Sequence, residues 1–105
     1  MDIAMEARAK TIREFQNLMK RMYISRDRHR GLHGTLLWTI SEVGELTGAA
    51  LKKDRNAMRS EAADVLAWLC STCNLIGIDL EDAAFEKYGG GCPKCRHIPC
   101  RCREK

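Results

Sequence analysis

Apolar side chains recur every three or four residues along most of the chain, the spacing of one face of an α-helix. The first stripe predicts a helix from about Ile3 to Ser25, and its members are Ile12, Phe15, Leu18, Met19 and Met22. Residues 27–34 are charged and include two glycines, so we expect a loop there. The next stripe predicts a helix over about residues 36–52, and its members are Leu36, Ile40, Val43, Ala50 and Leu51.

Capping residues divide the remainder of the helical region into two further helices. Asp54 is a suitable N-cap, and the apolar stripe that follows it ends at Gly77, a residue type common just after a helix. Asp79 is placed to cap a short fourth helix that contains Phe85. The sequence lacks the alternation of β-branched residues that marks strands. It therefore predicts an all-α bundle of about four helices.

Length and composition are those of one ordinary soluble domain. The chain has 105 residues, of which 45% are hydrophobic and 30% charged. It contains no apolar run of about 18 residues and no apolar segment of the secretory type near its start, so we expect a cytoplasmic protein that binds no membrane. A helical hairpin cannot bury the stripes of three helices, which predicts a homo-oligomer.

Charge separates the chain into two parts. Residues 1–86 carry 12 basic and 13 acidic side chains, whereas residues 87–105 carry six basic and one acidic. We therefore predict a helical domain over residues 1–88 and a cysteine-rich tail over residues 89–105. The net charge of +4 comes from this tail. If the four tail cysteines bound one Zn²⁺ as thiolates, the site would lower the net charge by two. On the basis of charge alone we therefore do not expect a nucleic-acid partner.

Two predicted helices each carry a pair of acidic residues three positions apart, Glu42 with Glu45 and Glu61 with Asp64. This spacing places both members of a pair on one helix face. A single such pair is commonly a solvated surface. Four carboxylates in one place, however, would repel each other and retain protons unless a cation lay between them. Because Mg²⁺ prefers oxygen ligands, the two pairs predict a magnesium site.

One antiparallel register brings the two pairs together. With a turn near Lys53, Glu45 faces Glu61, Glu42 faces Asp64, and Trp38 faces Trp68. In each of these three pairs the two residues are equally far from position 53 along the chain, so one register brings all three pairs together. A merely solvated face would not need two tryptophans in line with the acids. We therefore expect a helical hairpin whose inner face carries the acid site. Either tryptophan could stack on a ligand ring or belong to the core.

These motifs resemble the MazG-type all-α nucleoside triphosphate pyrophosphohydrolases. The resemblance rests on Glu42-Val-Gly-Glu45, a spacer of 15 residues, Glu61-Ala-Ala-Asp64, and the following Gly77-Ile-Asp-Leu. It covers about residues 32–88. It implies that all four acids bind Mg²⁺ and are catalytic, and that the protein assembles as a dimer or a dimer of dimers.

The reaction that the resemblance implies is hydrolysis of an NTP or dNTP to the monophosphate and pyrophosphate, with nucleotide-pool house-cleaning as the role. Trp38, Trp68 and Lys87 are the expected substrate-binding residues; Lys87 stands near the position of a phosphate-contacting lysine in the family. Two alternatives remain. One is a biosynthetic pyrophosphohydrolase of the phosphoribosyl-ATP type. The other is a non-enzymatic helical module that binds nucleic acid through its basic tail.

The tail carries a compact metal-binding pattern. Its spacing is Cys-x2-Cys-x4-Cys-x-Cys, formed by Cys92, Cys95, Cys100 and Cys102. Four thiolates within eleven residues suit a structural, tetrahedral Zn²⁺ site, in which His97 could replace one cysteine. An iron–sulfur cluster and a free-thiol tail are the alternatives. Cys70 and Cys73 lie within an apolar stripe instead, which is typical of small buried side chains.

Overall fold

The computed structural model describes residues 10–104, and within this range it contains three helices and no strand. α1 spans Ile12–Leu51, α2 spans Arg55–Ile76 and α3 spans Leu80–Tyr88. The all-α prediction is confirmed, while the predicted helix start at Ile3 lies outside the described residues. No single helix in this range is long and apolar enough to cross a membrane; α2 and α3 pass that test only when joined across a bend of 100°.

The predicted loop over residues 27–34 is wrong, because α1 continues through it. The break is confined to Gly31, whose φ of 85° and ψ of 167° are not helical. This kink divides α1 into an N-terminal arm, residues 12–30, and a C-terminal arm, residues 32–51. The two arms, α2 and α3 supply the four helical segments that the apolar pattern predicted.

The predicted turns and caps are present. Lys53 has a positive φ of 58° at the centre of the turn between α1 and α2. The side chain of Asp54 accepts a hydrogen bond from the N–H of Ala57 and so caps α2. Gly77, with a φ of 72°, ends α2 in the left-handed conformation. Asp79 caps α3 in the same way as Asp54 caps α2. All four features depend on local interactions.

A buried glutamine attaches the N-terminal arm of α1 to the turn between α2 and α3. Gln16 is 7% exposed, and its Nε2 donates to Asn74 Oδ1 at 3.1 Å and to the carbonyl of Ile78 at 2.8 Å. Its Oε1 accepts from the N–H of Leu80 at 2.9 Å. Nearby, the Arg13 guanidinium pairs with carboxylates of α3 and its cap, contributed by Asp79, Glu81 and Asp82.

The apolar stripe of the C-terminal arm points away from the rest of the chain, in line with the expectation that a hairpin cannot bury the stripes of three helices. Thr35, Glu42 and Ala49, seven residues apart, are buried instead. The exposed apolar side chains of this arm include Leu36 at 39%, Leu37 at 69%, Ile40 at 69%, Val43 at 47% and Leu51 at 79%. The hairpin therefore has a polar inner face and an apolar outer face.

Candidate active site

The hairpin brings three acidic side chains from two helices to one place. Glu42 and Glu45 lie on the C-terminal arm of α1, and Glu61 lies across from them on α2. One carboxylate oxygen from each of the three lies within 4.8 Å of the other two. Glu42 is buried, Glu61 is half-buried and Glu45 is exposed. The cluster is thus anchored in the protein and open to solvent at one side.

Glu42 carries the least hydrated carboxylate of this cluster. The residue is 9% exposed, and its Oε2 atom is buried without a hydrogen-bond partner. Burial raises the pKa of Glu42, and the charges of Glu45 and Asp64 raise it further. A buried acceptor without a partner is unfavourable. This oxygen is therefore available to a cation.

A hydrogen bond between the carboxyl groups of Glu61 and Glu45 is the largest cause that raises the pKa of Glu61 to about 7, and burial is the next. Two carboxyl groups can form such a bond only when one of them carries a proton. The pair therefore holds a proton near neutral pH when no cation lies between the two groups.

Asp64 lies beside the cluster and is not one of its three converging groups. It is one turn beyond Glu61 on α2, and its side chain is exposed. Its charge contributes to the raised pKa of Glu42 and of Glu61. The chemistry of this donor set fits a hard divalent cation, since it offers carboxylate oxygens, one of them buried and unpartnered.

The two tryptophans stack as the predicted register requires. The ring centroids of Trp38 and Trp68 are 5.7 Å apart, and the ring planes differ by 13°. Trp38 is 51% exposed and Trp68 is half-buried, so neither is a buried core residue. The pair lies one turn from the acids on each helix, with Trp38 before Glu42 and Trp68 after Asp64.

A polar network that the sequence did not reveal packs against Trp68. The guanidinium carbon of Arg30 lies 4.7 Å from the Trp68 ring centroid. Arg30 Nη1 donates to Asp27 Oδ1 at 2.9 Å and to Thr35 Oγ1 at 3.2 Å, while Thr35 Oγ1 donates to the carbonyl of Gly31 at 2.9 Å. These bonds join the two arms of α1 across the kink and hold the arginine against the ring.

Beside this network is a cavity of about 280 Å³. Asp27 is 1% exposed, and its Oδ2 atom has no hydrogen-bond partner. Since Asp64 also lines the cavity, the cavity begins next to the acid cluster. Its lining includes Tyr23, Arg26, Asp27, Arg30, Asp64 and Trp68. The sequence signal that could have indicated this site is the pair Asp27 and Arg30, whose three-residue spacing suits a helix.

The four tail cysteines converge as their spacing predicted. Their sulfur atoms all lie within 4.8 Å of one another, and His97 is not part of this group. The Sγ atoms of Cys92 and Cys102 are 3.7 Å apart, and those of Cys95 and Cys100 are 3.9 Å apart. Tetrahedral Zn–S bonds of about 2.3 Å require sulfur atoms about 3.8 Å apart. The sulfur positions therefore fit a zinc ion.

Backbone N–H groups also point at these sulfur atoms. The N–H of Arg101 donates to Cys95 Sγ at 3.3 Å, and the N–H of Cys102 donates to Cys100 Sγ at 3.3 Å. The bond from Arg101 is the largest cause that lowers the pKa of Cys95 to about 5. Donors of this kind favour thiolate, the form in which cysteine binds metal.

The remaining predicted residues lie elsewhere. Lys87 is on α3, where its Nζ atom is 5.7 Å from the ring centroid of Tyr88, and a contact with substrate phosphate stays a prediction. Cys70 and Cys73 are buried at 0% and 5% exposure. Burial raises the pKa of Cys70 to about 11, so these two cysteines are small core residues, as predicted.

The sequence profile described as the MazG nucleotide pyrophosphohydrolase domain matches residues 30–96. That range contains both acid pairs, both tryptophans and the first two tail cysteines; Asp27 precedes it. No curated protein matches the chain significantly.

Proposed function

The chain belongs to the MazG nucleotide pyrophosphohydrolase family, and from this premise we propose that it hydrolyses a nucleoside triphosphate to the monophosphate and pyrophosphate. The observation that carries the proposal is the acid cluster, with oxygens of Glu42, Glu45 and Glu61 within 4.8 Å of one another. The unpartnered Oε2 atom of Glu42 supports it, because a purely structural cluster would gain nothing from a buried acceptor without a donor.

Magnesium is the cofactor we propose for this cluster. Glu42, Glu45 and Glu61 would hold the ion, with Asp64 at its side. When bound, the ion neutralises charge on phosphoryl oxygens and lowers the pKa of a water molecule. In the reaction, the oxygen of water adds to phosphorus and the P–O bond between the α- and β-phosphates breaks. Glu45 or Glu61 accepts the proton that the water releases.

The test is an assay of product formation with Mg²⁺ and a panel of canonical and modified NTPs and dNTPs, with phosphoribosyl-ATP included. Monophosphate and pyrophosphate are measured together. We expect equal release of both, and a loss of about 100-fold or more in Glu61→Gln, since this change removes both a metal ligand and a proton acceptor. Glu86→Gln, an exposed change on α3, is the matched control.

Two results would contradict the proposed reaction. One is the absence of both products across the whole panel. The other is a Glu61→Gln variant that retains the rate of the Glu86→Gln control. Turnover of phosphoribosyl-ATP alone would assign the biosynthetic reaction in place of a house-cleaning role.

We further propose that the tail binds one zinc ion through Cys92, Cys95, Cys100 and Cys102. The sulfur separations of 3.7 and 3.9 Å support this. Elemental analysis of the purified protein should find one zinc per chain, lost in Cys95→Ser and kept in Cys70→Ala, which changes a cysteine outside the cluster. Iron with visible charge-transfer absorbance, or no bound metal after reconstitution with Zn²⁺, would refute the zinc assignment.

The outer face of the hairpin supports a third proposal, that a second copy of the chain covers it. The described residues have an accessible surface of 8340 Å², whereas a compact monomer of this mass exposes about 5,900 Å². Apolar side chains on adjacent turns of the C-terminal arm, such as Leu36, Ile40 and Val43, form part of the excess. A homodimer interface of ordinary size covers about 800 Å² on each chain, which is about a third of that excess.

A further inference from the structure

The cavity beside Trp68 has no role in the chemistry described above, and it carries an unusual feature. The Asp27 side chain is 98% buried, yet only one of its carboxylate oxygens has a partner. Oδ1 accepts from Arg30, and Oδ2 accepts from no group in the described part of the chain. Because a buried carboxylate oxygen without a donor is unfavourable, a ligand that supplies the donor would stabilise it.

The cavity is placed to receive the nucleoside part of a nucleotide. Asp64 lines it at the side of the acid cluster, so phosphates held at the cluster would lead the sugar and base towards it. Its volume of about 280 Å³ is close to the lower end for small-molecule sites. Two flat groups, the Trp68 ring and the Arg30 guanidinium 4.7 Å from that ring's centroid, form part of its wall. Flat, polarisable walls suit an aromatic ring.

We propose that this cavity is the nucleobase subsite of the enzyme, and that Asp27 accepts a hydrogen bond from an amino group of the base. The proposal rests on the proposed function. Cytosine, adenine and guanine carry an exocyclic amino group, which is a hydrogen-bond donor. Uracil and thymine present a carbonyl oxygen where cytosine has its amino group, and hypoxanthine presents one where adenine has its amino group; two acceptors facing each other repel. At the position of the guanine amino group hypoxanthine carries only hydrogen, so the donor is simply lost. The substrate class is therefore a triphosphate with an amino-bearing base.

A phosphate group fits this cavity less well than a base. Arg30 is already paired with Asp27 at 2.9 Å, and an anion would meet the free oxygen of that same carboxylate. A ribose hydroxyl is a donor and would satisfy Asp27. The base amino group and the ribose hydroxyl predict different specificities. Recognition of the hydroxyl would discriminate ribonucleotides from deoxyribonucleotides and would not discriminate between bases.

The experiment measures kcat/KM with Mg²⁺ for pairs that differ at one exocyclic group: CTP with UTP, ATP with ITP, and GTP with ITP. We expect the wild-type protein to prefer the amino member of at least one pair by about tenfold or more, the usual value of a hydrogen bond to a charged group. Asp27→Asn should bring that ratio close to one, because the amide is uncharged towards an amino group and can donate to the carbonyl of UTP or to the 6-carbonyl of ITP. Asp82→Asn, an exposed change on α3, should keep the wild-type ratio.

A binding measurement on the wild-type protein tests the inference even if the Asp27→Asn variant does not fold. Calorimetric titration of wild-type protein with CMP and UMP, without Mg²⁺, should show tighter binding of CMP if cytosine is the base that is read; AMP with IMP and GMP with IMP serve the other pairs. Equal affinity and equal kcat/KM within all three pairs would overturn the inference. So would an Asp27→Asn variant that changes only the ratio of CTP to dCTP.

The failures of the two proposals are distinguishable. Hydrolysis of the whole panel without preference for an amino group overturns the nucleobase subsite and leaves the pyrophosphohydrolase intact. The absence of hydrolysis, together with selective binding of an amino-bearing monophosphate that Asp27→Asn abolishes, overturns the reaction and supports the subsite.

Discussion

Two buried carboxylates are the most informative residues of this protein. Asp27 and Glu42 each keep one oxygen atom without a hydrogen-bond partner, and these are the two buried side-chain atoms in that state within residues 10–104. They lie on the two arms of α1, on either side of Gly31. Folded proteins pair almost all buried polar atoms, so exceptions indicate sites where a ligand completes the pairing. Here one oxygen belongs to the acid cluster and the other to the neighbouring cavity.

The raised pKa of Glu61 makes the stability of the folded protein depend on pH. This pKa is about 7 in the folded protein, against 4.5 for the free side chain. Between these values the folded protein keeps a proton that the unfolded chain has lost, so stability falls as pH rises from about 4.5 to about 7. In buffer without Mg²⁺, the thermal unfolding midpoint should therefore decrease across this window.

Added Mg²⁺ should raise the midpoint most above pH 7, where Glu61 has lost the proton that competes with the ion. Glu61→Gln should flatten the decrease, whereas Glu86→Gln should retain it. A midpoint that increases with pH from 4.5 to 7 without Mg²⁺ would contradict this assignment of the proton.

At the scale of elements, the kink in α1 creates the cavity. A straight helix of 40 residues would be about 60 Å long, whereas the longest dimension of the molecule is 44 Å. The bend at Gly31 lets both arms contact α2: Gln16 of the first arm bonds to Asn74, and Trp38 of the second stacks on Trp68. The space enclosed between the first arm and α2 is the site that Asp27 and Arg30 line.

Gly31→Ala tests this element directly. Gly31 has a φ of 85° and a ψ of 167°, a backbone conformation that is essentially restricted to glycine. An added Cβ would meet no atom within 4 Å, so the cost comes from the backbone alone. We expect a loss of about 1–3 kcal/mol in the free energy of unfolding, measured by urea denaturation.

Gly44→Ala is the matched control, because its Cβ also meets nothing within 4 Å while its backbone is helical. That variant should gain up to about 1 kcal/mol. Equal effects of the two alanines would show that the break at Gly31 is not required.

The whole molecule is more open than a compact domain. Its radius of gyration is 16.0 Å, against about 13 Å for a compact chain of this length. The buried residues of the C-terminal arm are small or polar, while Leu37 and Ile40, each 69% exposed, face solvent. An amphipathic helix with its apolar face uncovered is stabilised when a partner covers that face.

Ile40→Asp should therefore convert the proposed homo-oligomer to a monomer of 11.9 kDa, because a charge would be buried at the interface. Sedimentation velocity over a range of concentrations measures this. Ile98→Asp, at a tail residue that is 84% exposed, should leave the oligomer intact. A wild-type protein that sediments as a monomer at every concentration would exclude the second copy.

Sequence alone was sufficient for the features that arise from short-range order. The three-residue spacing of the acid pairs, the cap at Asp54 and the left-handed end at Gly77 follow from helix geometry. The positions of the acids and tryptophans about a turn near Lys53 predicted the hairpin register, which the Trp38–Trp68 stack confirms. The cysteine spacing likewise predicted the convergence of four sulfur atoms. Assignment of the acids to catalysis and of the tail to zinc stays a prediction.

Tertiary structure alone decided which faces of the helices meet and what the space between them contains. Charged residues and two glycines made residues 27–34 look like a loop, but α1 stays helical up to the break at Gly31, and a part-buried ion pair joins Asp27 and Arg30 within it. Whether an apolar stripe enters the core depends on partners distant in sequence, and a periodic pattern carries no information about them. For the same reason, only the folded chain shows that Asp27 is buried with an acceptor still free.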